Sequence, residues 1–222
     1  MTEAFEFKQC ITLLKATGKK AASLRELRDL IAESGPGPIS HHTYQYFLKG
    51  HIQEYTNDFA HWAGKSLEEG ALAEQLSNID PYACAGIEEL RAEVLAAIDD
   101  HLQRFPEPRK AVRGDEFFFN ETVTLIFPAG VRAGNLAEFL IAVRYVDVSS
   151  LFYHFYDSRL RLGGGKDDFS AWFETALGKG GLARMMRSID PFMHNLEGIR
   201  ERIAEAVEAE VQRDIESAGV DL

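Results

Sequence analysis

Apolar residues near the end of the chain fall at Leu196, Ile199, Ile203, Val207, Val211 and Ile215, one step of three and then steps of four. That spacing keeps one face of a helix apolar, and it predicts a long amphipathic helix from Pro191 to about Ser217. A similar helix is expected from Pro81 to about Phe105. The pattern changes at Gln9–Lys15 and Glu121–Phe127, where Thr, Val, Ile, Leu and Phe crowd together behind Phe5-x-Phe7 and Phe117-x-Phe119. Such runs predict short strands, the second stopping at Pro128, with Gly18 and Gly130 beyond them. Between strand and terminal helix the pattern is helical: roughly Ile39–Gly50 and Ser150–Leu162, then from Asn57–Asp58 and Asp167–Asp168, then a short helix after Gly70 and Gly180.

These elements come in pairs because the sequence repeats. Phe5 to Leu48 lie over Phe117 to Leu160 at an offset of 112, and Asn57 to Pro81 lie over Asp167 to Pro191 at an offset of 110. Asp58-Phe59-x-x-Trp62 recurs as Asp168-Phe169-x-x-Trp172, and Ile79-Asp80-Pro81 as Ile189-Asp190-Pro191. A copy with one strand leaves that strand's amides and carbonyls unpaired, so the two strands are expected to pair about a pseudo-twofold axis. The expected fold is α+β and predominantly α-helical. Its two pseudo-symmetric copies, each one short strand and about five helices, are residues 1–105 and 117–222, joined by a proline-stiffened connector at 106–116 and packed as one body.

Charge narrows the partners. Residues 1–110 carry 12 Lys+Arg against 17 Asp+Glu, and residues 111–222 carry 12 against 18, so the net charge of −11 is spread evenly. An evenly acidic chain has no basic face for a phosphate backbone, which argues against nucleic acid. The same holds for a membrane surface, and no apolar run approaches the ~20 residues of a spanning helix. The first residues show no signal peptide. Cys10 and Cys84 are not repeated, which fits two free thiols in a reducing cytoplasm better than a framework disulfide.

Most repeated polar residues have a role in starting helices. Ser23-x-x-Glu26 and Asn135-x-x-Glu138 fit a capping box, in which the short side chain and the acid satisfy free amides reciprocally. Asp58 and Asp168 read as caps, and Asp80-Pro81 and Asp190-Pro191 as N-cap followed by proline at the first helical position. Trp62 and Trp172, three residues after Phe59 and Phe169, read as core. Gly163-Gly164-Gly165-Lys166 follows a helix, lacks phosphate-loop spacing and reads as a loop. The common hydrolase, metalloprotease, redox and dinucleotide signatures do not occur.

Capping leaves the histidines unexplained. His42-x-Tyr44 recurs as His154-x-Tyr156. A two-fold axis could bring the histidines together as a site for a metal, an anion or proton transfer. Each could equally be a structural histidine bonded to backbone or Asp. Four residues on stand Tyr46 and Ser158, so the i, i+4 ligand pairs of helical metal sites are missing.

Several segments together resemble a known family: Phe7-Lys8-x-Cys10, Thr17-Gly18-x-Lys20-Ala21, His41-His42-Thr43-x-x-Tyr46-Phe47-Leu48, Glu54-Tyr55-x-Asn57-Asp58-Phe59-Ala60-x-Trp62 and Leu72-Ala73-Glu74-x-Leu76. Phe127-Pro128-x-Gly130, Tyr153-His154-Phe155, Asp168-Phe169-Ser170-x-Trp172 and Ile189-Asp190-Pro191 resemble the same family's second half. It is a bacterial family of unknown function, and the likeness spans nearly the whole chain. It implies that the duplication belongs to the family architecture, and it implies no activity. Where the resemblance leads one to expect a further histidine, this chain has Tyr44.

The expected function is therefore that of a cytoplasmic, non-catalytic binding or regulatory protein. Its partner would be another protein, a small molecule or, through the long terminal helices, a second copy of itself. No catalytic residue, resident metal or cofactor is assigned; the binding candidates are His42, His154, Tyr44 and Tyr156. The alternative is an enzyme or metal-dependent protein with a site near the axis using His42 and His154.

Overall fold

The computed structural model describes residues 3–44, 54–159, 166–217 and 219. It is a mixed α+β fold in which helices predominate. In chain order come β1 (Phe5–Ala21), α1 (Leu24–Glu33), α2 (Pro36–Tyr44), α3 (Asp58–Lys65), α4 (Gly70–Ser77) and α5 (Ile87–Arg104). Then follow β2 (Phe117–Ala133), α6 (Leu136–Tyr145), α7 (Val148–Leu151, running into a π-helical stretch at Phe152–Asp157), α8 (Asp168–Thr175), α9 (Gly180–Arg187) and α10 (Leu196–Ser217). No helix among the described residues is long and apolar enough to cross a membrane. The ends of the expected second helices, toward Gly50 and Leu162, and the Gly163-Gly164-Gly165 run lie outside the described residues.

The two strands pair in one two-stranded sheet. Each is 17 residues long, far longer than the apolar runs predicted. Lys15 pairs with Glu121 and Lys20 with Glu116, so one strand climbs as the other descends and the pairing is antiparallel. Neither Pro128 nor the glycines end a strand. Among the described residues the sheet has only these two strands, so each has an outer edge without a ladder partner, and there a proline has no hydrogen bond to forfeit. Gly18 and Gly130 sit inside the strands at φ of +78° and +74°, a conformation open to glycine that kinks a strand without breaking it.

The chain divides into two compact units, Thr12–Thr124 and Met1–Ile11 with Leu125–Leu222. The divisions fall inside the strands, not in the 106–116 connector. In the first unit, Leu24, Leu27 and Ile31 of α1, Phe59 and Trp62 of α3, Leu72 and Leu76 of α4 and Val94 and Ile98 of α5 form a core with Phe117 and Phe119 from the start of β2. Phe117 stacks on Phe59 with ring centres 5.3 Å apart. In the other unit, Phe5 and Phe7 from the start of β1 lie against Phe139 and Phe169. Phe155, Phe173, Met186, Ile199, Ile203 and Val207 are buried in the same unit. Each Phe-x-Phe pair thus completes the core of helices encoded in the opposite half of the sequence. A tryptophan fixes each entry: Trp62 Nε1 donates to Asp115 O at 2.7 Å, and Trp172 Nε1 to Glu3 O at 2.8 Å, in each case two residues before the first phenylalanine.

Several helix starts follow the expected capping, with three corrections. Ser23 Oγ and Asn135 Oδ1 accept the amides of Glu26 and Glu138. The two glutamates reach back one residue further than a capping box, to the amides of Ala22 and Gly134. Asp58 and Asp168 are not the caps: Asn57 and Asp167 are, and the two aspartates occupy the first helical position. Asp80 and Asp190 cap no helix either. Their Oδ1 atoms accept the amides of Tyr82 and Phe192, two residues on, closing a local turn. The long helices start later, at Ile87 and Leu196, the second capped by Asn195, whose Oδ1 accepts the Gly198 amide.

Phe7→Ala should cost about 3–5 kcal/mol, as for a buried phenylalanine. Hydrogen exchange should accelerate first in α6, α8 and α10, which are distant in sequence, and not in the neighbouring α1. Urea unfolding with peptide-resolved exchange reads both.

Candidate functional site

α2 and the π-helical stretch after α7 carry the two repeated histidines, and each histidine lies buried within its own unit. His42 Nε2 accepts the Asn120 amide at 3.0 Å, and His154 Nε2 accepts the Lys8 amide at 2.8 Å. A backbone amide can only donate, so Nε2 carries the lone pair and the proton is assigned to Nδ1. That proton faces a carboxylate in both units: Nδ1 of His42 is 2.9 Å from Asp58 Oδ2, and Nδ1 of His154 is 2.8 Å from Asp168 Oδ2. Each aspartate stands on the first turn of its helix, where negative charge is favoured by the helix dipole. The imidazole therefore ties a strand amide to a helix start, through both nitrogens.

The tyrosines are equally committed. Tyr44 Oη donates to Pro81 O at 2.9 Å and Tyr156 Oη to Pro191 O at 3.0 Å. Burial pushes both phenols above the ordinary tyrosine range, so neither supplies a phenolate at neutral pH. The free thiols are passive for the same reason, burial raising both Cys10 and Cys84 to about 11.

Two features escaped the sequence. One is His41, whose Nδ1 meets Thr122 Oγ1 at 2.5 Å. Donor atoms of His41, His42 and Asp58 lie within 4.8 Å of one another, close enough to frame a cation. Neither nitrogen of His42 has a lone pair to spare, since Nε2 faces an amide and Nδ1 is protonated. In the other unit Tyr153 takes the place of His41, beside an open groove of about 390 Å³ lined by Glu3, Glu6, His154, Asp168 and Trp172.

The second is a buried acid. Asn57 and Asp167 cap equivalent helices, but only the amide can also donate, and Asn57 Nδ2 does so to Leu76 O at 2.9 Å. At Asp167 that donor is supplied by Arg159, whose Nη2 reaches Met186 O and Ile189 O at 3.3 Å. Among the described residues Asp167 Oδ2 has no hydrogen bond, and it lies 4.0 Å from that guanidinium. Burial outweighs the attraction of Arg159 and holds the Asp167 carboxyl above the usual carboxylate value. Asn57 against Asp167 was a readable signal; Arg159 was not, because its contacts are long-range.

Residues 2–208 match a family of unknown function, DUF5752. The chain is similar to a solved structure, that of OrfY from Thermoproteus tenax, at 33% identity and a TM-score of 0.78, covering 93% of this chain and 95% of the other. No curated protein matches it.

His154→Phe keeps the ring volume but strands the Lys8 amide and the Asp168 carboxylate, and should cost about 1–3 kcal/mol in urea unfolding. Asp167 makes a signed pH prediction. Its folded pKa is raised above the unfolded value near 3.8, so its contribution is full below that value and is lost as pH rises through the folded pKa. The melting temperature of Asp167→Asn relative to the native chain should therefore climb between pH 4 and pH 8; a constant difference would show that the acid does not titrate in this way.

Proposed function

We propose, from the premise that this chain belongs to the DUF5752 family of unknown function, that it is an internally duplicated, non-catalytic binding or regulatory protein of the cytoplasm. One observation carries the reading: in both units the repeated histidine spends both ring nitrogens, and the repeated tyrosine its hydroxyl, on the protein's own backbone and helix starts. A general base or metal ligand needs a lone pair that can reach a substrate or an ion; the two histidines keep none, and the two tyrosine hydroxyls are buried with their protons directed at backbone carbonyls. The raised thiols fit the same reading, and they suit a reducing compartment. The partner is a protein or small molecule, since an evenly acidic chain offers nothing to nucleic acid or an anionic membrane.

The second reading is an enzyme or metal-dependent protein using His42 and His154, and the closeness of His41, His42 and Asp58 favours it. Metal binding there would require His42 to surrender either the Asn120 amide or the Asp58 bond. Elemental analysis of protein purified without added metal, for the native chain, His42→Ala and His154→Ala, separates the two. Far less than one metal per chain in all three, with both variants merely destabilised, is the expected result. Stoichiometric metal that disappears in His42→Ala would overturn the binding-protein reading.

A further inference from the structure

The open groove beside Tyr153 lies wholly within the unit Met1–Ile11 with Leu125–Leu222, and it combines an aromatic side with an excess of negative charge. Its volume of about 390 Å³ falls within the range of small-molecule sites, about 300–1,000 Å³. Phe5, Tyr153 and Trp172 form its apolar side. Glu3, Glu6 and Asp168 set three carboxylates against the one ammonium of Lys8. His154, whose Nε2 accepts an amide, adds no positive charge. Arg132 reaches Glu6 at 3.6 Å, but both groups are exposed, so that pair is weakly held and open to competition. Tyr153 and His154 lie on the π-helical stretch, a conformation that recurs at functional sites.

Comparison of the two units separates framework from groove. At offsets of 112 and 110, Phe5, His154, Asp168 and Trp172 correspond to Phe117, His42, Asp58 and Trp62, identical in type. Glu6, Tyr153 and Ala171 correspond instead to Phe118, His41 and His61. Ala171 leaves out an imidazole one helical turn beyond Asp168, and Glu6 puts a carboxylate where the other unit has an exposed phenyl ring. An architectural requirement would act on both units, so it does not explain the residues that open this groove and add to its acidity.

We infer that the groove binds a small organic cation, a protonated amine carried on an apolar body. The carboxylates of Glu3 and Glu6 take the ammonium, with the charge of Asp168 behind them. The aromatic side takes the body, and its ring quadrupoles attract a cation as well as giving apolar contact. An anion of the same size meets the same carboxylates and is repelled, and a neutral molecule gains only the aromatic side. The inference deepens the binding-protein reading by naming a ligand class and rests on that reading only for its purpose. Metal analysis reads His42 in the other unit, so the two tests fail independently of each other.

Phenethylamine, 2-phenylethanol and 3-phenylpropionate share an apolar body and differ in charge, and titrating each into the nitrogen-15-labelled full chain tests the inference. The two tryptophans give two indole N–H signals. That of Trp172 reports on the groove through its bond to Glu3 O, and that of Trp62 on the other unit. Phenethylamine should shift the Trp172 signal saturably and leave Trp62 in place, with a dissociation constant of about 1 mM or tighter, as small-ligand efficiencies allow. The alcohol should bind at least about fivefold more weakly, and the propionate should not bind. Glu3→Gln and Glu6→Gln should each weaken the amine about two- to fivefold. Ala171→His, checked for native helix content and melting temperature, should abolish binding by filling the groove. No saturable shift at Trp172, equal shifts at both indoles, equal binding of amine and propionate, or a folded Ala171→His chain that binds as the native chain does would each overturn the inference.

Discussion

A strand amide with nowhere in the sheet to donate is the constraint from which much else follows. In a two-stranded ribbon the outward amides need partners, and a buried one left bare costs about 1–3 kcal/mol. At Asn120 and Lys8 an imidazole accepts that hydrogen and passes its own to an aspartate at the first turn of a helix. One side chain therefore fixes three things: the depth of the strand, the rotation of the helix that carries the histidine, and the start of the next helix. The tyrosine two residues on then pins the turn before the long helix. What reads in the sequence as the best candidate for chemistry is, in each unit, the joint that sets the geometry of four elements.

The same ribbon supplies the aromatic centre of both cores. Phe117 and Phe119 are enclosed by helices that precede them in the chain, Phe5 and Phe7 by helices that follow more than a hundred residues later. The indoles of Trp62 and Trp172 anchor these strands by hydrogen bonds, not by packing alone, so the recurrence of tryptophan has a polar reason as well as an apolar one.

Much of this was legible in the sequence, and the gaps have physical causes. Periodicity placed α10 because an amphipathic stripe is a local property, and it found Ser23 and Asn135 because a cap acts within three residues. It shortened both strands because Pro128, Gly18 and Gly130 normally punctuate structure, and an edge strand removes the usual penalties. It assigned Asp58, Asp168, Asp80 and Asp190 to capping because a carboxylate near a helix start looks the same whether it binds an amide two residues away or an imidazole more than ten away. Which core each Phe-x-Phe entered could not be read, since alternation tells which side of a strand is buried and not what covers it. For His42 and His154 the identity of both partners depended on contacts across the fold.

The placement of the unit boundaries within the strands also sets an order of events during synthesis. The unit Thr12–Thr124 holds all of its own residues once Thr124 has emerged. The other unit needs Phe5 and Phe7 together with α10, which follows them in the chain by more than 180 residues. At about 5–20 residues per second, the two leading phenylalanines wait several seconds or more before the helices that enclose them exist. During that interval the Phe5 and Phe7 end of the strand has no native cover from its own unit, so that unit closes only after synthesis of its last helix.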